Sequence, residues 1–478
     1  MLKIQNYIDG TLNAPVDNNY IENYNPSNGA HYGNIPNSNI NDLNLAIDAA
    51  ENAKHDWQFM PAEARFKILN KIAEAIDTNN EKLAIAESID QGKPLWLAKT
   101  EITRAAQNIR FFATACMHYA SESHIMPGFA VNYTQRHPLG IVACISPWNL
   151  PLYLFTWKIA PALATGNCVI AKPSEITPAT AYLFSQICID CGLPPGVLNI
   201  IHGTGASIGD YISSHPKIKA ISFTGGTSTG SRIASIAAPL FKKLSLELGG
   251  KNPNIIFEDA NLDKAIETSI NTSFLNQGEI CLCGARIYVH KKIYDQFKSS
   301  FLKKIATMIV GDPMQKDTNM GAIASKSHFE KILSYIDVAK SENATILCGG
   351  VPFYPVGLEK GWYILPTVIE GLSHNSICIQ EEIFGPVVSL IPFESDDEVI
   401  ALANDSIYGL AATLWTQDLD RAHRVAAKIH CGIVWINCWL LRDLRTPFGG
   451  MKASGVGREG GFNAMNFFTE QQNVCIKY

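Results

Sequence analysis

Residues 140–173 read GIVACISPWNLPLYLFTWKIAPALATGNCVIAKP, and the order of patterns inside this stretch decides the fold. A short β-rich run, GIVACIS, gives way at Pro147 to a segment of helical length that closes at Gly166, and NCVIAKP opens a second β-rich run. Two strands joined through a helix run parallel, because a parallel pair needs a crossover of that kind. The wider window 138–166 is the most apolar of the chain, yet Asn149, Lys158 and four prolines interrupt it. It therefore reads as a buried helix beside a sheet, not as a membrane span.

The same alternation extends outward. Over 139–248 the strand candidates GVLNIIHG, IKAISFTGG and KKLSLELGG are separated by the helical stretches TPATAYLFSQICIDCG and STGSRIASIAAPL, as in a doubly wound parallel sheet. From Asp42 to about residue 115 the pattern is mostly helical and suits the covering of one sheet face. After Gly250 the alternation restarts with NPNIIFED and a helix at 261–275, and it runs on to GIVWIN, predicting a second α/β domain. The segments AVNYTQRH (130–137) and NVCIKY (473–478) read as strands outside both alternations, which need a partner edge in each other or in another subunit.

Composition excludes several classes. The 478 residues are 47% hydrophobic and 17% charged with a net charge of −5, so no basic footprint for nucleic acid or an anionic membrane stands out. The opening MLKIQNYIDG lacks the features of a secretory signal, and a cytoplasmic location is expected. Twelve cysteines in such a chain are expected to be reduced thiols. Neither Cys188/Cys191 nor Cys281/Cys283 has a second pair or a histidine at zinc spacing, so no metal site is expected.

Two glycine loops join a strand to a helix and could receive a phosphate at the helix N-terminus. One is HGTGASIG (202–209), one residue too long for the dinucleotide fingerprint; the other is FTGGTSTG (223–230), and spacing alone does not choose between them. FLNQGEICLCGAR (274–286) holds a possible cysteine nucleophile. SPWNL offers the Asn149 amide and SLELGG offers Glu247, each just past or at a predicted strand end. A cysteine nucleophile needs a donor for the oxyanion it creates and a base to activate water, and the three together supply this.

In order along the chain, SPWNLP, ALATGNCVIAKPSE, FTGGTSTG, LELGGKNP, NQGEICLCGAR, EEIFGPV and PFGGMKASGVGRE resemble the motifs of the aldehyde dehydrogenase superfamily over essentially the whole length. The resemblance implies a Rossmann-like doubly wound NAD-binding domain (1–118 and 138–249), an α/β catalytic domain (250–449) and a small β oligomerisation extension (119–137 and 450–478). It makes Cys281 the nucleophile, Asn149 the oxyanion donor and Glu247 the general base, with Lys158 beside them and Cys283 a bystander. For NAD it implies Ser146, Trp148, Lys172, Ser174, Glu175, Gly225, Gly226, Gly230, Leu248, Glu382 and Phe384, and it sets the 203–209 loop aside. Gly226 stands where the family often has Ser. Trp157 and Phe448 fall beside the substrate tunnel, and a homodimer or homotetramer is expected.

These roles imply a Cys281 thiolate that adds to an aldehyde, hydride transfer to the nicotinamide, and a thioester hydrolysed by water that Glu247 activates. Glu175 favours NAD over NADP, since a carboxylate there repels a 2′-phosphate. The loop NCWLLRDLRTPFGG (437–450), with QNIRFFA (107–113), resembles the branch acting on 2-aminomuconic and 2-hydroxymuconic semialdehydes. The expectation is that Arg110 and Arg442 clamp the substrate carboxylate, Arg445 being the weaker candidate. The competing readings are a betaine or aliphatic aldehyde dehydrogenase, a catalytically silent NAD-binding protein and a thiol hydrolase.

Overall fold

In the computed structural model, which describes residues 1–478, the quoted stretch forms the strands Ile141–Ile145 and Cys168–Lys172 joined by the helix Pro151–Ala164. Every residue of that helix is buried, which is why its sequence is apolar all round. The two strands pair in parallel. Ile141–Ile145 also pairs in parallel with Ile218–Thr224, and that strand with Lys243–Glu247. Leu198–Ile200 completes a five-stranded parallel run on the far side of Cys168–Lys172.

This order places the two glycine loops differently. The chain leaves Ile141–Ile145 toward one edge of the sheet and later returns to its other side as Ile218–Thr224, so the topological switch point lies between those two strands. Ligands of open α/β sheets bind outside the carboxyl ends of the strands at such a point. Ser146–Asn149 and Gly225–Gly226 occupy it, whereas the 203–209 loop follows Leu198–Ile200 at the far end of the parallel run.

Short antiparallel strands finish both edges. Asn6–Ile8 and Thr11–Asn13 extend one, through Tyr7 opposite Ile200. Gly455–Val456 extends the other, pairing with Leu246 and Glu247. Within residues 450–478, Gly455–Val456 closes the edge of the first sheet, and the helix Gly461–Phe467 packs on Pro151–Ala164. A second, seven-stranded sheet runs in the order 345–348, 367–370, 387–393, 286–290, 253–256, 411–415, 433–436 and is parallel except at its first strand.

The two strands outside these alternations find each other. Ala130–Pro138 and Thr469–Lys477 are antiparallel in continuous register from Thr469 opposite Pro138 to Lys477 opposite Ala130, with Ser123–Met126 on the free side of the former. The helix Leu95–Ala115 lies against Pro151–Ala164 and carries one face into the space between the two large sheets. No helix is long and apolar enough to cross a membrane.

Candidate active site

Asn149 lies four residues past the strand Ile141–Ile145 and just before Pro151, whose missing N–H and fixed φ suit the first turn of the helix that follows. It is buried. Its Nδ2 donates to the Glu279 carbonyl at 2.8 Å, and its own carbonyl accepts from Lys93 Nζ at 3.0 Å and Asn276 Nδ2 at 3.0 Å. An amide held this way is a fixed donor, the property an oxyanion site needs.

Cys281 comes from the other large sheet, in the loop between the helix Leu262–Phe274 and the strand Arg286–His290. That loop is turned sharply by left-handed residues, Asn276 (φ 52°), Gln277 (φ 58°) and Gly278 (φ 72°). A Cβ at Gly278 would sit 2.3 Å from the Gly385 carbonyl oxygen, so only glycine fits there. Asn252 Nδ2 donates to the carbonyls of Cys281 (2.7 Å) and Cys283 (2.9 Å) and fixes the loop from below. The Cys283 thiol is pushed up to about 12, chiefly by burial, in keeping with a bystander. Cys281 is partly exposed and lines two of the larger cavities. Burial first, then the carboxylates of Glu382 and Glu247, push its thiol well above the ordinary range. Both effects favour the thiol over the thiolate in the free protein.

Glu247 ends the strand Lys243–Glu247. It is buried, and neither carboxyl oxygen has a hydrogen-bond partner, an expensive state unless something else is to be bound there. Burial raises its pKa well above the carboxylate range; Glu459 reinforces this, and Lys158, Arg458 and Arg442 oppose it. Lys158 does not reach the cavity that Cys281 faces. Its fully buried ammonium donates to Glu459 (2.7 Å) and Ser222 Oγ (3.1 Å), so its influence on Glu247 is electrostatic. Glu459 does line that cavity, and sequence reasoning missed it although it ends the motif PFGGMKASGVGRE.

On one side of Cys281 a crevice of about 220 Å³ is lined by Trp148, Asn149, Gly225, Gly226, Leu248, Glu382 and Phe384. Here the residues fit a dinucleotide. The helix Thr227–Ala237 opens at Gly226 with no side-chain cap, leaving its first N–H groups free for a pyrophosphate. A Cβ at Gly225 would meet the Phe223 ring at 2.5 Å, and one at Gly230 would meet Leu248 at 2.4 Å. Ser146 Oγ is buried without a partner. Glu382 accepts the Gly250 N–H at 2.8 Å, and burial pushes it up to about 7.

Farther along, Lys172 Nζ pairs with Glu175 at 3.2 Å, while Ser174 Oγ is engaged locally by the Ile176 N–H. The set-aside glycine loop still touches this end: the Gly205 N–H donates to Glu175 at 3.4 Å. His328 and Lys331, absent from the sequence reading, also line the crevice. They stand one turn apart on the helix Lys326–Ser341, a spacing visible in SHFEK. His328 sits edge-on to Trp148 and donates Nε2–H to the Phe384 carbonyl at 2.6 Å, and burial lowers its pKa to about 4, keeping it neutral.

On the other side Cys281 opens into a mostly apolar cavity of about 340 Å³, which Glu247, Arg442 and Phe448 also line. Arg442 donates to Tyr153 OH at 3.0 Å and lies 4.0 Å from the Phe448 ring centre and 4.9 Å from that of Trp157. Trp157 thus backs the guanidinium and faces a different, smaller cavity. Arg110 is a correction. Its guanidinium pairs with Asp77 at 2.6 Å on the outer surface, away from the cavity. The cavity-facing arginine of that helix is Arg104, on the same face as Leu97, Thr100 and Glu101. Six residues further on, at about 100° each, the helix has turned Arg110 roughly 120° off that face. Arg445 is exposed and paired with Asp443.

With this geometry in hand, the comparisons with known proteins are specific. The model of the aldehyde dehydrogenase family matches residues 14–474. The 2-aminomuconic semialdehyde dehydrogenase of Mus musculus is 49% identical over 483 residues, covering 100% of this chain and 99% of that one. The 2-hydroxymuconic semialdehyde dehydrogenase of Pseudomonas putida is 40% identical over 486 residues, covering 100% of both. Among solved structures, betaine aldehyde dehydrogenase from Staphylococcus aureus in complex with NAD+ superposes with a TM-score of 0.96 at 37% identity, over 99% of this chain and 94% of that one.

Proposed function

The chain belongs to the aldehyde dehydrogenase family and is an NAD-dependent oxidoreductase, and from that premise we propose that its substrate is a carboxylate-bearing semialdehyde of the 2-aminomuconic or 2-hydroxymuconic type. The observation that carries this reading is a pair of cavity arginines without a carboxylate partner. Arg104 and Arg442 both line the cavity of Cys281 and flank Tyr153, and neither forms an ion pair within the protein. Of the carboxylates lining the cavity, Glu101 pairs with Lys93 and Glu459 with Lys158, while burial holds Glu247 toward its neutral form. A guanidinium left free in a largely apolar pocket is suited to a ligand carboxylate, which it can hold by two parallel hydrogen bonds. A cationic betaine aldehyde would meet like charge in this cavity.

In the proposed mechanism the Cys281 sulfur, once deprotonated, adds to the aldehyde carbon. The Asn149 amide and the Cys281 backbone N–H supply hydrogen bonds to the oxygen as it gains charge. When bound, NAD supplies the hydride acceptor, held by Glu382, Phe384, the Gly225–Gly226 turn and the Lys172–Glu175 pair. Cys281 then carries a thioester, and Glu247 takes a proton from the water that attacks it, releasing the carboxylate product. The position of Cys281 on both cavities supports this division of labour. The exposed Ile125 and Ile476 on the three-stranded sheet, with Phe129 in the turn between two of its strands, support a homodimer or homotetramer.

The test is a substrate panel. Purified protein is incubated with NAD and 2-hydroxymuconic semialdehyde, or with neutral aldehydes of similar length, while nicotinamide reduction is followed by absorbance. The acidic semialdehyde is expected to have a kcat/KM at least about tenfold higher, since one retained charge-assisted contact is worth more than 1.4 kcal/mol. Equal values for both classes overturn the substrate assignment.

A further inference from the structure

We propose that Lys93 is a positioning residue for the oxyanion donor, holding Asn149 by its backbone carbonyl from inside the protein; the inference rests on the role assigned above to Asn149. Lys93 is fully buried, and its ammonium has three acceptors: the Asn149 carbonyl at 3.0 Å, Glu87 at 3.4 Å, and Glu101. An ammonium has three N–H groups, so the set is complete. One carboxylate would neutralise the charge; the third acceptor is main chain and belongs to the residue whose side chain serves the oxyanion.

The same cluster grips the chain beyond Asn149. The second oxygen of Glu87 accepts the Leu152 N–H at 3.2 Å, in the first turn of Pro151–Ala164, where Leu150 provides no side-chain cap. From the other direction, Gln91 donates to the Glu279 carboxyl at 2.6 Å, and Glu279 is the residue whose carbonyl receives the Asn149 amide. Gln277 of the left-handed turn donates to Gln91 at 3.4 Å. Gly92, at φ 90° with the Ala322 carbonyl oxygen 2.5 Å from where its Cβ would be, gives the bend that lets Gln91 and Lys93 face these two targets.

A single turn after the helix Asn80–Gln91 thus fixes the donor and the nucleophile loop relative to each other. The amide of Asn149 is planar with two N–H groups, so securing one on Glu279 and locking the backbone leaves the second a defined direction. Glu101 also lines the substrate cavity, so Lys93 ties the donor to that wall as well. Replacing a buried charge cluster by apolar groups is often neutral or favourable for stability, so stability alone does not account for it.

The experiment uses Lys93→Met, Asn149→Ala and the double variant, with three readouts: the first-turnover burst of NADH, the Kd of NAD, and the rate of Cys281 alkylation by iodoacetamide, a displacement that forms no oxyanion. Lys93→Met is expected to slow the burst about ten- to a hundredfold, as misplacing a catalytic group by about 1 Å does, with the other two readouts within about threefold. In the Asn149→Ala background it should slow the burst no more than about threefold, because the group it positions is gone. Equal losses in both backgrounds, or a common shift of all three readouts, overturn the inference. A burst lost in Asn149→Ala but intact in Lys93→Met overturns it alone; a burst intact in Asn149→Ala overturns the reading of Asn149 as well. If Lys93→Met does not fold, Lys93→Met/Glu87→Gln removes the lysine together with a carboxylate it pairs with and should slow the burst about ten- to a hundredfold with the same invariances; an unchanged burst there sinks the proposal.

Discussion

Arg442→Met separates the proposed substrate from every neutral aldehyde. The side chain makes one hydrogen bond, to Tyr153, and stacks on Phe448 at 4.0 Å, so methionine keeps much of the apolar contact and removes the charge. Hydrogen bonds to a charged group are worth roughly 1.5–3 kcal/mol. Arg442 is half-buried rather than fully enclosed, so solvent takes part of that and about 2–3 kcal/mol is reasonable for a bidentate contact. At 1.4 kcal/mol per decade, kcat/KM for 2-hydroxymuconic semialdehyde should fall roughly 30- to 150-fold. A neutral aldehyde never used the charge and should change less than about threefold. Steady-state kinetics on the two substrates side by side read the difference. Parallel losses on both would refute the reasoning, because they would mean that Arg442 shapes the cavity without reading the substrate.

The other predictions follow from burial and charge. Arg110→Ala should leave kinetics on acidic semialdehydes within about twofold, because it breaks only an exposed pair with Asp77; a selective loss would return Arg110 to the pocket. Glu247→Gln should release about one NADH per site and then stall, steady-state turnover falling roughly 10²- to 10⁴-fold, and full multiple turnover would remove Glu247 as the base. In the unsubstituted enzyme the hydrolytic step should gain rate with pH along a limb lying above the ordinary carboxylate range, since burial raises Glu247; a limb near the ordinary range would contradict this. Glu382, held at about 7 when folded, contributes stability that is complete below the unfolded carboxylate pKa and is lost as pH rises through about 7. The melting temperature of Glu382→Gln, relative to the unsubstituted protein, should therefore rise across that interval, and a flat difference would argue against the shift.

What the sequence disclosed and what it hid divide along a physical line. Ile141–Ile145, Pro151–Ala164 and Cys168–Lys172 were legible because period and punctuation are local, whereas Asn149, Glu247 and Cys281 are unremarkable singly and became candidates through the ordered motifs that hold them. Asn6–Ile8 was not legible: three residues carry no period, and the strand exists because Tyr7 meets Ile200 across the sheet edge. Spacing did not separate the two glycine loops and the resemblance did; the physical reason for the difference is the order of strands, a long-range property absent from spacing. Arg104 was hidden by helical phase, which decides whether 104 or 110 faces inward only once the buried face of Leu95–Ala115 is known. Glu459 was hidden by distance, since 301 residues separate it from the lysine it neutralises.

The charge state of the cavity carries one more consequence. Glu101 and Glu459 are engaged by lysines, and Glu247 and the Cys281 thiol are both held toward their neutral forms by burial, so the free cavity is dominated by its two guanidinium groups. An arriving anion is attracted, while the nucleophile stays protonated and weak, because the thiolate and not the thiol reacts. Alkylation by iodoacetamide in the absence of NAD should therefore be slow at Cys281 near neutral pH and keep accelerating into the alkaline range, with exposed Cys475 modified first. Peptide mass spectrometry against time and pH separates the two sites. A rate at Cys281 that levels off near neutral pH would mean the free protein already holds a thiolate, and activation of the nucleophile would then precede cofactor and substrate binding.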